Sequence, residues 1–222
     1  MISQAEENYL KALFHLTNEI QEKSEAGTNE LAEMLDVTPA TANNMLKKLK
    51  EKEWVAYEKY GKITLTDKGR NLAVETVRKH RLWETFLYEK LNFTWDEVHE
   101  VAEQLEHIQS NKLVEQLESF LDFPETDPHG DPIPNAKGEI KFVKRKTLSE
   151  VEVGKTYKLI AVKDNSSSFL QYVVKLGLGL SSKIKIVSRQ EFDGSMEIEV
   201  NKVRSSISKK VAQNLLIVID LD

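Results

Sequence analysis

The residues with the greatest capacity for chemistry lie in Thr94–Ser110, TWDEVHEVAEQLEHIQS. Thr94 and Glu97 have the spacing of a capping box, so a helix is expected to open there. On such a helix Glu103, Glu106 and His107 fall at i, i+3 and i+4, and His99 lies one turn before Glu103, so all four project from one face. Carboxylates set beside carboxylate and imidazole weaken a helix unless positive charge sits among them, and a divalent metal ion is the natural candidate. A second His/Glu pair, His80 and Glu84, stands at i, i+4 inside VRKHRLWETFL. The chain has no cysteine, which excludes disulfides, iron–sulfur clusters and thiolate zinc sites. Any metal would therefore have only nitrogen and oxygen ligands, the set that suits Mn(II) and Fe(II). A lone helical histidine is usually structural. Here three of the five histidines, His80, His99 and His107, fall on such patterned positions.

These residues need elements to hold them. Ser3 and Glu6 form another capping-box spacing, opening a helix with Tyr9, Leu10, Leu13, Phe14 and Leu16 inward. A short helix is expected at Thr28–Leu35, then a turn at Asp36-Val37. Thr38-Pro39 is a strong helix start, N-cap plus N1 proline, for TPATANNMLKKLKEKE. Trp54–Tyr57 and Ile63–Leu65 alternate as a hairpin, and Thr66-Asp67 caps a long helix reaching about Leu91. That order is a winged helix-turn-helix with residues 38–51 as the reading helix. The aromatic set Trp83, Phe86, Leu87 and Tyr88 is core or dimer interface. A further helix is expected at Ser110–Phe120. Between Asp122 and Lys146 lie four of the five prolines, a linker. From about residue 147 the pattern is β, suggesting a small barrel of five or so strands with a helical turn near Ser167–Leu176.

The chain has 222 residues, 40% hydrophobic and 30% charged, as expected for a soluble globular protein. No apolar run approaches the ~20 residues that span a bilayer, and MISQAEENYL does not read as a signal peptide, so a cytoplasmic protein with no membrane partner is expected. A net charge of −5 argues against nucleic acid, but residues 47–70 reverse it, with eight basic residues against four acidic. Lys47, Lys48, Lys59 and Lys62, on the reading helix and wing, are placed for phosphates. The exposed face of that helix offers Thr38, Pro39, Ala40, Thr41, Asn43 and Asn44, which suit adenine edges and thymine methyls.

The helix pair VRKHRLWETFL…VHEVAEQLEHIQS closely resembles the diphtheria-toxin-repressor family of metal-dependent transcriptional regulators. The likeness is most specific at RKHRL, VH and EH, agrees with EENYL and GDPIP elsewhere, and covers the whole chain. It implies a mainly α fold with a β C-terminal domain: a winged helix-turn-helix DNA-binding domain (1–73), a helical metal-binding and dimerisation domain with its Pro-rich linker (74–146), and an SH3-like small β-barrel (147–222). It implies a first metal site of Asn8, Glu103, Glu106 and His107, with Glu7 as an alternative to Asn8. A second site draws on His80, Glu84 and His99, joined by Asp127 and His129 from the linker and Asp164 from the SH3-like domain. Iron-sensing members have Met on the first helix and Cys at the position of Glu103. This chain therefore resembles the manganese branch, with Fe(II) as the alternative cofactor and two sites per chain. It departs from the short manganese regulators at Lys11, where they carry an acidic residue.

The function implied is repression of metal-uptake genes by a homodimer on a palindromic operator in double-stranded DNA. Crowding of Glu7, Glu103 and Glu106 is expected to repel without metal and leave the first helix loosely held. A metallohydrolase built on the Glu/His cluster would need a separate general base and an oxyanion donor. The sequence supplies neither, and the chain is not expected to be an enzyme.

Overall fold

The computed structural model describes residues 2–17, 24–57, 62–141 and 144–218. The chain divides into two compact units. One comprises Met1–His80, Gln104–Val114 and Pro134–Glu139. The other comprises Arg81–Glu103, Glu115–Ile133 and Ile140–Asp222.

The first unit opens with α1 (Gln4–Leu16). Its Ser3 side chain and Glu6 form the reciprocal capping box expected from their spacing. After α2 (Thr28–Met34) the chain turns at Asp36, whose φ of 50° is the left-handed conformation that Asp tolerates. The reading helix α3 (Pro39–Glu51) follows, with Thr38 as N-cap and Pro39 at its first position. Leu10, Leu13, Leu31, Leu46, Leu49 and Ile63 are fully buried and form this unit's core. The wing is β1 (Val55–Tyr57) paired antiparallel with β2 (Ile63–Leu65), and Ala26 bridges to Ile63 as a third short edge. Lys59, at the wing tip, lies outside the described residues. Helix α4 (Asp67–Leu91) begins under the wing. Gly69 is required there, because a Cβ would stand 1.9 Å from the Trp54 carbonyl oxygen.

The second unit takes the rest of α4 from Arg81 onward, and the unit boundary also cuts α5 (Val98–Leu105) and α6 (Asn111–Phe120). Its sheet has six strands in the order β3-β8-β4-β5-β6-β7, every neighbouring pair antiparallel. The strands are β3 (Arg145–Thr147), β4 (Thr156–Val162), β5 (Lys183–Arg189), β6 (Met196–Val200), β7 (Val203–Ile207) and β8 (Leu215–Val218). Helices α7 (Ser167–Lys175) and α8 (Lys209–Asn214) pack with it. The expected helical turn near Ser167 is thus a helix of two and a half turns. Leu159, Leu170, Ile184, Ile186, Ile198, Leu215 and Ile217 are buried to the last few square ångströms, and Trp95 joins the same cluster.

The proline-rich stretch is ordered where it meets this sheet. Asp127, Pro128, His129 and Gly130 are all buried. The His129 carbonyl accepts from the Val162 amide at 3.1 Å. Gly130 has φ +87°, and a Cβ there would fall 1.8 Å from the Ile160 carbonyl oxygen. Backbone approaches that close admit only glycine.

Candidate metal centres and nucleic-acid interface

Helix α5 is shorter than its sequence suggests. Thr94 donates its amide to Glu97 at 2.8 Å, as a capping box requires, but its hydroxyl bonds Asp96 instead of closing the first turn. Asp96 in turn accepts from Gln171 and Ser167 on and beside α7, at 2.8 and 3.2 Å. Those tertiary bonds and the burial of Trp95 hold 95–97 as a turn, so the helix starts at Val98. It ends at Leu105. Glu106 and His107 occupy the following turn, not the same helical face as Glu103. The departure lets Glu106 point fully inward, with no exposed side-chain surface, while the Glu103 side chain stays 37% exposed.

In the first unit Glu106 meets α1 and α4. Its Oε2 lies 2.6 Å from Lys11 Nζ and 2.6 Å from His80 Nδ1. Its Oε1 is buried with no hydrogen-bond partner, and so is Asn8 Oδ1. His107 Nε2 is 3.9 Å from that Glu106 Oε1. An unsatisfied buried acceptor costs about 1–3 kcal/mol, and Glu106 Oε1, next to the His107 imidazole, calls for a cation or a strong donor. The donor set is O, O and N, which fits a divalent ion of the Mn(II) or Fe(II) kind.

Glu7 plays another part. Its carboxylate accepts from Lys79 Nζ at 2.9 Å, from Gln109 Nε2 at 2.8 Å and from His107 Nδ1 at 2.7 Å. Burial opposes its ionisation, but the hydrogen bonds from His107, Lys79 and Gln109 outweigh burial and hold its carboxyl below the usual range. The repulsion expected among Glu7, Glu103 and Glu106 is therefore not what the structure shows for this unit. Lys79 neutralises Glu7 and Lys11 neutralises Glu106, both in buried ion pairs. Sequence reasoning passed over Lys79 and Gln109. Their only signal was a basic run at 78–81 and a polar residue just past the helix end.

In the second unit Glu84, Asp127 and His129 converge, all buried, with ligand atoms within 4.8 Å of one another. Glu84 Oε2 lies 3.5 Å from His129 Nδ1, and Glu84 Oε1 lies 3.2 Å from His99 Nδ1. His99 Nε2 is 3.6 Å from Glu103. His129 Nε2 bonds the Trp95 carbonyl at 3.0 Å and so carries the proton, which leaves Nδ1 buried without a hydrogen-bond partner. Trp95 also stacks on the His129 ring, with centroids 6.0 Å apart. A protonated anchor on one ring nitrogen and a lone pair free on the other is how ligating histidines are held. Arg81 approaches Asp127 at 3.6 Å and donates to the Pro132 carbonyl. Burial, then the charges of Glu84 and Asp131, push the Asp127 carboxyl up to about 7 against the pull of Arg81 and His129. The sequence-predicted Asp164 is not in this group. Its carboxylate accepts from the Ser166 amide and lines a separate cleft of about 330 Å³ with Phe169, Tyr172 and Lys210.

On the reading helix, Thr38, Pro39, Ala40, Thr41, Asn44, Lys47 and Lys48 are exposed. Asn43 is turned inward: its Oδ1 accepts from the Tyr57 hydroxyl and its Nδ2 donates to the Pro39 carbonyl. It ties α3 to the wing and is not free to read a base. Lys62 pairs with Glu25.

Three family descriptions match in turn: "Iron dependent repressor, N-terminal DNA binding domain" over residues 1–63, "Iron dependent repressor, metal binding and dimerisation domain" over 66–135, and "FeoA domain" over 146–219. The iron-dependent repressor IdeR of Mycobacterium tuberculosis is 33% identical over 128 residues, 58% of this chain, and the match spans about half (54%) of that relative's length. An uncharacterised HTH-type transcriptional regulator of Methanocaldococcus jannaschii is 36% identical over 121 residues, 54% of this chain and 95% of the relative. A solved structure described as a manganese-dependent transcriptional repressor in complex with manganese superposes with a TM-score of 0.84 at 35% identity, covering 96% of this chain and 99% of that one. On these matches, the chain belongs to the diphtheria-toxin-repressor family of metal-dependent transcriptional regulators.

Proposed function

We propose that this protein is a transcriptional repressor, activated chiefly by Mn(II), that binds a palindromic operator of metal-uptake genes as a homodimer in the cytoplasm. The observation that carries this is a pair of orphaned buried acceptors, Asn8 Oδ1 and Glu106 Oε1, the second of them beside His107, in the unit that also bears the reading helix. A divalent ion bound there supplies the positive charge those acceptors lack. Asn8 hangs from α1 and Glu106 from the turn after α5, so ligation adds to the Lys79–Glu7 and Lys11–Glu106 pairs that already anchor α1. A ~100-fold preference for the DNA-competent arrangement is enough to contribute about 2.7 kcal/mol to it. The buried Glu84–Asp127–His129 group is the second centre. The remaining ligands that the resemblance implies, Glu103 for the first and His80, His99 and Asp164 for the second, belong to the same proposal. So does the division into domains at about residues 73 and 146.

Manganese is favoured by the all-oxygen-and-nitrogen donor set and by the manganese-dependent repressor that superposes on this chain. Fe(II) is the second reading, favoured by the iron-dependent mycobacterial relative. The relatives and the solved structure named above are transcriptional regulators and not enzymes. Among the described residues no helix is long and apolar enough to cross a membrane.

Operator binding measured with Mn(II) and with chelator tests the reading. Mn(II) is expected to tighten binding by roughly 5–150-fold, the ordinary range of allosteric coupling. Equal affinity in both conditions overturns it. Anaerobic titration with Mn(II) against Fe(II) separates the two metals.

A further inference from the structure

We propose that Glu7 is a positioning residue for the first metal centre: it holds the His107 ring in one tautomer and orientation so that Nε2 is the donor nitrogen, and it is not itself a ligand. The inference rests on the metal-binding reading above and assigns a role to a carboxylate that the sequence leaves as an alternative ligand.

Three observations carry it. Both oxygens of the Glu7 carboxylate are already engaged, since Oε1 accepts from Lys79 and Gln109 and Oε2 accepts from His107 Nδ1, all at 2.7–2.9 Å. A carboxylate can only accept, so His107 Nδ1 must donate, and in the neutral ring Nε2 then carries the lone pair. That nitrogen faces the centre, 3.9 Å from the orphaned Glu106 Oε1. The contrast with Asn8, one residue on, is direct: its Oδ1 is equally buried and has no partner at all. Of two neighbours on α1, Asn8 has an unpartnered acceptor and Glu7 has both oxygens engaged.

Lys79 and Gln109 complete the device. Lys79 is 3% exposed and fixes Glu7 from α4, while Gln109 reaches back to it from two residues beyond His107. The ring is thus oriented from α1 and α4 together, before any metal arrives. Such outer partners of ligating histidines change metal affinity by about 10–100-fold when removed.

The first test needs no metal. Nitrogen-15 NMR of histidine-labelled, metal-free full-length protein at pH 8 is expected to show His107 with Nδ1 protonated and Nε2 pyridine-like. Finding the proton on Nε2 overturns the proposal. The second test is Mn(II) binding by calorimetry in three proteins. Glu7→Ala is expected to weaken the first site 10–100-fold and to release the tautomer. Glu7→Gln keeps an acceptor for Nδ1–H, and is expected to restore the tautomer and most of the affinity. Unchanged affinity in Glu7→Ala, or equal losses in both variants with the tautomer intact, overturns the proposal. If the wild-type protein binds no Mn(II) at this site, the metal reading fails, while the tautomer measurement still decides the role of Glu7.

Discussion

The two histidines of the proposed metal centres are anchored in the same manner by different means. His107 donates its Nδ1–H to Glu7, and His129 donates its Nε2–H to the Trp95 carbonyl, so opposite ring nitrogens face away from the anchor. The second case has a consequence for pH. Burial first, then Glu84 and Asp131, raise Asp127 from its ordinary 3.8 to about 7. His129 is raised as well: burial opposes its charge, but Glu84 and Asp127 outweigh burial. A folded-state pKa above the unfolded value means that the native state binds more protons than the unfolded chain, so stability falls as pH rises through that interval. For Asp127 the interval runs from about 4 to about 7, and His129 extends it in the same direction. Thermal unfolding in chelator is therefore expected to show this cluster losing stability as pH rises from about 4 to about 7. Asp127→Asn should flatten that slope. An unchanged slope in Asp127→Asn would show that the cluster does not govern it. Metal binding at this centre must displace the Asp127 proton, so affinity should climb up to about pH 7 and level off above it.

At the scale of elements, local rules were strongest where a helix begins. Ser3 and Thr38 cap α1 and α3 as their sequences imply, because a capping box and a Thr-Pro start depend on neighbours three residues apart. The Thr94 start shifted to Val98 because Asp96 is drawn to α7, some seventy residues on, and no local pattern encodes that bond. The same limit hid the ion pairs. Glu7 and Lys11 stand at i, i+4, the spacing at which helical ion pairs form, yet each is buried and paired with a different partner from another element. The reading helix gives the sharpest case. Asn43 and Asn44 look equivalent in sequence, but Asn43 is bonded to Tyr57 and Pro39, while Asn44 is exposed. Asn44→Ala is expected to weaken discrimination at one operator base pair by about 1–3 kcal/mol with stability intact. Asn43→Ala is expected to lower stability by about 1 kcal/mol with base preference retained. Denaturant unfolding and a panel of single-base operator variants check both, and the reverse pattern would show that Asn43 is the reader.

For the whole molecule, the proposed binding of a palindrome requires two reading helices where one chain carries one, and the apolar surface of the second unit bears on it. Tyr88, Leu91, Phe120 and Phe123 are between 48% and 64% exposed. Around them Trp83, Phe86 and Phe120 pack edge to face, with centroids 5.8 and 6.1 Å apart, and Lys90 lies over the Phe120 ring. The run Trp83–Phe86–Phe120 with Lys90 over it, in a unit that exposes further large apolar side chains, is the kind of surface that soluble proteins reserve for a partner. For a regulator of palindromic DNA a second copy is the partner whose symmetry fits, since a two-fold interface presents two reading helices to two half-sites. Phe120→Asp places an unpaired charge at the centre of that patch, where burial in an interface would leave it uncompensated. The variant is expected to be monomeric by sedimentation equilibrium at concentrations where the wild type is dimeric. Each unit's fold should be retained, because Phe120 is exposed and outside both cores. Operator affinity should fall towards that of a single half-site, while Mn(II) binding at the first centre stays as in the wild type, because none of Asn8, Glu103, Glu106 and His107 belongs to that aromatic surface. A Phe120→Asp protein that remains dimeric and holds the operator with Mn(II) as tightly as the wild type would place the dimer contact elsewhere on the chain.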